Sequence, residues 1–291
     1  MKQAFLITAY KDFESLYRLA ELLAGNGFVY IHADAKSRSI TREEINKLNT
    51  IKNCRAINTY KIAWGGFCHV LAFLDLMKMA LDNPEVSYIH CITGEDFPVI
   101  SPEEMDRRYA ASTKIYMPYM GPDDLPETVM VRYRYYNWFP DKNVKNPVLW
   151  QIQNLTVNLQ KICGIKRSGI GEFRHIYKGL VYVSMPRNAA IYVADYCQKN
   201  PGFLKDLRRC QVPEEFFFQT LLLNSEYAKD VEDCEIRYLN WEKGEKGSPA
   251  YLDMSDYQAI REGDYAFARK FHPEKSKEIL EKIYAEIREM N

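Results

Sequence analysis

Within the first hundred residues, short apolar runs alternate with segments whose apolar residues recur every three or four positions. That alternation narrows the choice of fold more than any other feature. A buried strand followed by an amphipathic helix, repeated, is the pattern of βαβ units feeding a largely parallel sheet. Residues 4–8 read as the first strand. Phe13, Leu16, Leu19, Ala20 and Leu23 then share one helix face that stops at Gly25 and Gly27. Residues 28–32 read as the second strand. Trp64-Gly65-Gly66 opens another helix, with Phe67, Val70, Leu71, Leu74, Met77 and Leu81 on its apolar face, and residues 86–93 form a third strand ended by Gly94.

From Lys114 onward the pattern loosens into short strand-like pieces such as 115–120, followed by Gly121, Pro122 and Pro126. Tyr133, Tyr135, Tyr136, Trp138 and Phe139 crowd into a span too aromatic for an ordinary solvated loop. Residues 213–224 read as a helix beginning at a proline, and 276–290 as a terminal amphipathic helix. No internal repeat, low-complexity tract or linker interrupts the sequence, so residues 1–291 read as one continuous α/β domain.

The balance of 39 Lys and Arg against 39 Asp and Glu offers no basic excess for a nucleic-acid partner, and 47% hydrophobic residues are too many for a disordered chain. The apolar stretches are broken by charged or polar residues well before the roughly 18 residues a membrane span needs, so no integral membrane segment is expected. The start of the chain enters a short apolar run and then meets Tyr10-Lys11-Asp12, with no cleavage-site pattern. Seven cysteines, odd in number and without a C-x-x-C pair, read as buried thiols of a reducing compartment. A cytoplasmic location is the expectation, with a peripheral position at the inner face of the membrane beside it.

Ligands of open α/β sheets bind at the carboxyl ends of the strands, which directs attention to His32-Ala33-Asp34-Ala35-Lys36-Ser37 and Thr93-Gly94-Glu95-Asp96-Phe97-Pro98. Each also reads as an ordinary polar turn. The chain has no G-x-G-x-x-G and no P-loop, so dinucleotide dehydrogenases and P-loop kinases drop out. Its five histidines form no metal-ligand pattern, and there is no Asp-x-Asp with which a nucleotide-sugar enzyme holds a divalent ion. Arg269-Lys270, in an aromatic and small-residue setting, offers cations suited to a departing diphosphate. Glu214 and Glu215 open a very apolar helix. Helix-dipole preferences alone favour acids there, and the dipole and desolvation push their pKa in opposite directions.

Taken in order, Thr8-Ala9-Tyr10, the Ile31–Ser37 segment, Trp64-Gly65-Gly66, Thr93–Pro98, Pro213-Glu214-Glu215-Phe216-Phe217-Phe218-Gln219-Thr220 and Phe267-Ala268-Arg269-Lys270-Phe271 resemble the core-2/I-branching N-acetylglucosaminyltransferases and the related peptide O-xylosyltransferases. The resemblance implies a GT-A fold, a mostly parallel central sheet flanked by helices, and an inverting glycosyltransferase independent of metal. It implies transfer of a GlcNAc- or xylose-class sugar from a UDP-sugar to a hydroxyl of a glycan or polysaccharide acceptor, with no cofactor. It assigns Glu215 as general base, Lys270 to the donor diphosphate, Asp34 to the uridine end and Asp96 to the neighbourhood of the donor sugar or acceptor. The family's second diphosphate cation, an arginine, has no counterpart at its place. Arg269 and Lys246 are the nearby basic residues. Trp138 and Trp241 are candidates to stack on acceptor sugars, with core or lid packing as the alternative. The missing Asp-x-Asp and the Arg269-Lys270 pair explain each other if a fixed cation replaces the ion. A bacterial-type enzyme of surface polysaccharide synthesis fits the absence of an anchor. A protein that keeps this fold and binds nucleotide sugar or glycan without turnover is the competing reading, and a metal-dependent transferase using Glu95-Asp96 as a split acidic pair is a third.

Overall fold

The computed structural model describes residues 2–143, 146–244 and 248–289. The first half runs β1 (Lys2–Ala9), α1 (Phe13–Ala24), β2 (Phe28–Ala33), α2 (Arg42–Leu48), β3 (Cys54–Ile57), α3 (Cys68–Leu81), β4 (Val86–Thr93), β5 (Asp96–Pro98) and α4 (Pro102–Tyr109). Next come β6 (Ile115–Tyr116), β7 (Tyr119–Met120), α5 (Glu127–Arg134), α6 (Pro147–Ile162), β8 (Lys178–Gly179), β9 (Ser184–Pro186), α7 (Arg187–Lys199), α8 (Pro201–Leu207) and α9 (Glu214–Leu223). β10 (Val231–Glu232), β11 (Arg237–Leu239), α10 (Tyr257–Glu262), β12 (Phe267–Arg269) and α11 (Lys277–Glu289) complete the fold.

The main sheet has seven strands in the order β10-β6-β9-β4-β1-β2-β3. β3, β2, β1 and β4 are mutually parallel, β9 runs antiparallel to β4 and to β6, and β10 is parallel to β6. This is the mostly parallel α/β sheet that the family resemblance implies. Both faces are covered, and β1 shows why a continuous apolar run suits such a strand. Ala4 and Leu6 pack toward α3, α7 and α9, whereas Phe5, Ile7 and Ala9 pack toward α1 and α11. Three of the expected strands and the helices at both ends of the chain are present with small shifts in boundary; Met290, the expected end of the last helix, lies outside the described residues.

The weaker expectations need more correction. The piece at 115–120 divides between two sheets, because Pro118 has no N–H to continue a ladder. The loose region after Lys114 contains two helices, α5 and α6. On α3 the buried face also takes in Ala72, Phe73 and Leu76, and Leu71 and Leu81 are only half-buried. All seven cysteines are free, but Cys163 and Cys234 are exposed rather than buried.

A second sheet, β11-β12-β5, places the segment containing Arg269 and Lys270 antiparallel to the turn that follows β4, with Arg269 opposite Asp96. The pair β7-β8 brings Lys178 to the edge of α9.

Candidate active site

The chain leaves β1 toward β2 and β3 on one side and returns through α3 to β4 on the other. Strand order reverses between β1 and β4, and a crevice at the carboxyl ends of such a pair is where open α/β sheets bind ligands. Register sets Thr8 level with His32 of β2 and Thr93 of β4, so the ends of three strands share one edge.

Asp34, the first residue beyond β2, is buried there. Its Oδ1 accepts hydrogen bonds from the N–H groups of Lys36 (3.0 Å) and Ile62 (3.1 Å), and its own N–H donates to the Ala9 carbonyl at 2.8 Å. The carboxylate is thereby fixed against the end of β1.

Past β4 the turn carries two acids with different surroundings. Asp96 is wholly internal: Oδ2 accepts from the Thr93 N–H (2.7 Å) and hydroxyl (2.6 Å), and Oδ1 lies 2.5 Å from Nε of the buried Arg237. Arg269 donates to Thr93 Oγ1 and lies 3.2 Å from both Asp96 Oδ2 and Glu95 Oε2. Burial works against the Arg269 charge, but Tyr182, Asp96 and Glu95 outweigh it and raise its pKa. The second acid, Glu95, also meets the crevice. Its Oε1 is 2.8 Å from Lys11 Nζ and 3.7 Å from Lys270 Nζ. Both ammonium groups lie over the ring of Tyr251, at 5.6 Å and 4.6 Å, and Lys275 joins them at 5.4 Å. Partial burial opposes the Lys11 charge, yet hydrogen bonding to Glu95 more than compensates and its pKa rises.

Across from the strand ends, Val212 adopts a left-handed φ of 52° and turns the chain into α9, whose first turn is Glu214-Glu215. Glu215 Oε2 lies 3.0 Å from Arg132 Nη1 and 3.4 Å from Lys178 Nζ. Desolvation raises its pKa, and the two cations restrain that rise. Glu214 is more deeply buried, with Oε1 3.8 Å from His69 Nδ1 and Oε2 without a hydrogen-bond partner. His69 Nε2 in turn lies 3.1 Å from Thr8 Oγ1, which links α9 through the first turn of α3 to the end of β1.

Asp34, Glu95, Asp96, Arg269 and Lys270 thus gather at the strand-end edge, and Glu215 stands at the mouth of α9. Arg269 is committed to the two acids beside it, and Lys246 lies outside the described residues. Trp138 and Trp241 are exposed, at 60% and 49%, on separate loops. Sequence patterns alone do not single out Lys11, His69, Arg132, Lys178 or Tyr251. Lys11 and His69 closely follow two of the motifs quoted above, Thr8-Ala9-Tyr10 and Trp64-Gly65-Gly66, and an extension of either motif reaches them. As a metal site, the Glu95-Asp96 pair is already met by Lys11, Arg237, Arg269 and Lys270. Among the described residues no group of three or more His, Cys, Asp or Glu side chains is arranged to hold a metal ion.

A two-faced α/β sheet with charged residues converging at its topological switch point defines the class: an open α/β-sheet protein, in which the carboxyl ends of β1 and β4 are the place where such sheets take a ligand. The sequence profile of the Core-2/I-Branching enzymes matches residues 3–264, and the chain belongs to that family. The match stops before β12, which carries Arg269, and before Lys270, which follows it. Among curated proteins none matches the chain. It is similar to the solved structure of S. aureus TarS in complex with UDP-GlcNAc, at 16% identity over 57% of this chain and 48% of that one, with a TM-score of 0.29. HddC from Yersinia pseudotuberculosis gives 13% identity over 67% and 80%, TM-score 0.31, and the bifunctional glycosyltransferase WbbM 9% over 92% and 45%, TM-score 0.37. The chain spans less than half the length of the TarS structures it matches.

Proposed function

We propose that the chain is an inverting glycosyltransferase that works without a metal ion, moving a GlcNAc- or xylose-class sugar from a UDP-sugar to a glycan hydroxyl. The observation that carries this reading is the convergence of Lys11 and Lys270 on Glu95 beside Tyr251, at the crevice between β1 and β4. Two ammonium groups held at a switch point suit the charge that develops on a leaving diphosphate. Lys11 then takes the place of the second cation that the family pattern leaves vacant here, while Arg269 holds Glu95 and Asp96 in position. Asp34 receives the uridine end of the donor.

Glu215 acts as general base: its carboxylate takes the proton of the acceptor hydroxyl as that oxygen attacks the anomeric carbon, and the bond to UDP breaks on the opposite face. A partly desolvated carboxylate with a raised pKa is a better base than a free one. Arg132 and Lys178 favour its ionised form and limit that rise. Trp138 and Trp241 remain the candidates for the acceptor side.

The test is UDP release from a panel of UDP-sugars, with and without glycan acceptors, in the presence of EDTA. Turnover in EDTA is expected, and a strict requirement for Mn²⁺ would overturn the metal-free mechanism. Glu215→Gln should bind donor normally and lose about 10²–10⁴ in kcat. Donor binding by the wild type with no turnover on any acceptor would favour the non-catalytic reading.

A further inference from the structure

α6 is built inside out. Its inward face is fastened by glutamines: Gln160 Oε1 accepts from the Tyr136 N–H at 2.7 Å, Gln160 Nε2 donates to the Tyr136 carbonyl at 3.0 Å, and Gln153 Oε1 accepts from the Trp138 N–H at 3.4 Å. Val157 is the single apolar residue buried with them. The opposite face carries Val148, Ile152, Leu155, Leu159 and Ile162, spaced four, three, four and three apart, which puts them on one stripe of a helix. All five are exposed, Leu155 at 60% and Ile162 at 81%. A surface helix ordinarily turns such a stripe to the core. Here the core contact is polar and the stripe is left outward.

The charges around the stripe indicate its partner. Between positions 142 and 171 the sequence has no Asp or Glu, although the whole chain is neutral, and Lys142, Lys161 and Lys166 are exposed. The remaining α6 side chains, Gln151, Asn154, Thr156 and Asn158 among them, include no acid to pair across a second copy of the helix. An exposed apolar stripe on a helix with lysines near its two ends matches the layered chemistry of an anionic lipid surface, with hydrocarbon beneath and phosphate at the rim. At 16 residues the helix is about 24 Å long, suited to lying in the plane of the surface. Among the described residues no helix is long and apolar enough to cross a membrane.

We propose that α6 is a membrane-surface binding element, seating the protein on anionic bilayers through this stripe and the flanking lysines. The proposal is independent of the reaction assigned above. Full-length protein is sedimented with phosphatidylcholine vesicles with and without phosphatidylglycerol, and its oligomeric state is measured by analytical ultracentrifugation with reductant present. Wild type should pellet with the anionic vesicles, less with the neutral ones and less again at high salt. A Leu155→Glu/Leu159→Glu double variant should lose about tenfold or more in partitioning, with an unchanged circular-dichroism melt. Should that variant fold poorly, Ile162→Glu at the helix end serves the same purpose, and neutralising Lys161 and Lys166 should weaken binding to anionic vesicles alone. Wild-type protein that stays in the supernatant with both vesicle types overturns the proposal. A stable dimer that the Leu substitutions dissolve also overturns it, by giving the stripe to a second copy of the chain.

Discussion

Nothing in the local sequence distinguishes a lysine two residues beyond a strand from any surface lysine; Lys11 acquires a role because Glu95 and Tyr251 bring its ammonium beside that of Lys270. If both face the diphosphate, Lys11→Met and Lys270→Met should each weaken UDP binding by about 10–100-fold, the value of one hydrogen bond to a charged group, as read by calorimetry. A Lys11→Met enzyme with unaltered UDP affinity would remove Lys11 from the clamp. Glu215 makes a prediction of opposite character. Burial raises its pKa, so the acidic limb of the kcat/KM profile should fall above the ordinary 4.5. Lys178 favours the ionised form, and Lys178→Met should therefore move that limb further up in pH. Glu214→Gln removes a neighbouring negative charge that raises the Glu215 pKa, so it should move the limb down in pH, and it should lower activity less than Glu215→Gln, because Glu214 faces His69. The candidates Asp34, Glu215 and Lys270 stand in short motifs and can be picked out from the sequence itself. Their counter-ions are not, since Arg132 lies 83 positions from Glu215 and Glu95 lies 84 positions from Lys11, and only strand register and helix packing join them.

At the level of elements, legibility follows burial. β1, β2 and β4 are central strands whose residues pack on both faces, and each is written as a largely apolar run. β3 lies at the sheet edge as the half-exposed Cys54-Arg55-Ala56-Ile57, which carries no such run and gives no strand signal. α6 escapes for a different reason: its stripe has helical spacing, but spacing tells which residues share a face and not which way the face turns. The short β7-β8 pair supports the site directly. A Cβ on Gly179 would come within 2.2 Å of the Pro118 carbonyl oxygen and 2.6 Å of Gln219 Nε2. Gly179→Ala should therefore push β8 away from α9, shift Lys178 off Glu215 and lower kcat with a loss of thermal stability; full activity in that variant would show that β8 does not position Lys178. α2 offers a control remote from the crevice. Its Thr41–Glu44 capping box satisfies N–H groups at the helix start, so Thr41→Ala should cost about 1 kcal/mol in denaturant unfolding with kcat untouched.

Across the whole molecule, two hydrophobic layers sandwich the sheet, and two histidines are enclosed within it. Burial lowers the pKa of His32 to about 4 and that of His90 to about 3, against an ordinary 6.5. His90 is held neutral between Ser184 Oγ (2.7 Å) and Gln3 Oε1 (2.6 Å). Their contribution to stability is present above about pH 6.5 and is lost as pH falls toward those folded values, because the unfolded chain binds protons that the native state refuses. Denaturant midpoints should decline from pH 7 to pH 5, and His90→Gln should flatten the slope; an unchanged slope would show that His90 does not set it. The equal numbers of acidic and basic residues also bear on capture of the donor. A molecule of zero net charge has no net monopole field with which to draw an anion from a distance, and beside the strand ends the single Glu95 carboxylate is shared between the ammonium groups of Lys11 and Lys270. An incoming anion must displace a carboxylate rather than fill a bare positive hole. Chloride or a nucleoside monophosphate gains one ammonium for the exchange, whereas a pyrophosphate bridges both. If a diphosphate binds at Lys11 and Lys270, the carboxylate they share acts as a filter, favouring ligands that bring two linked phosphates.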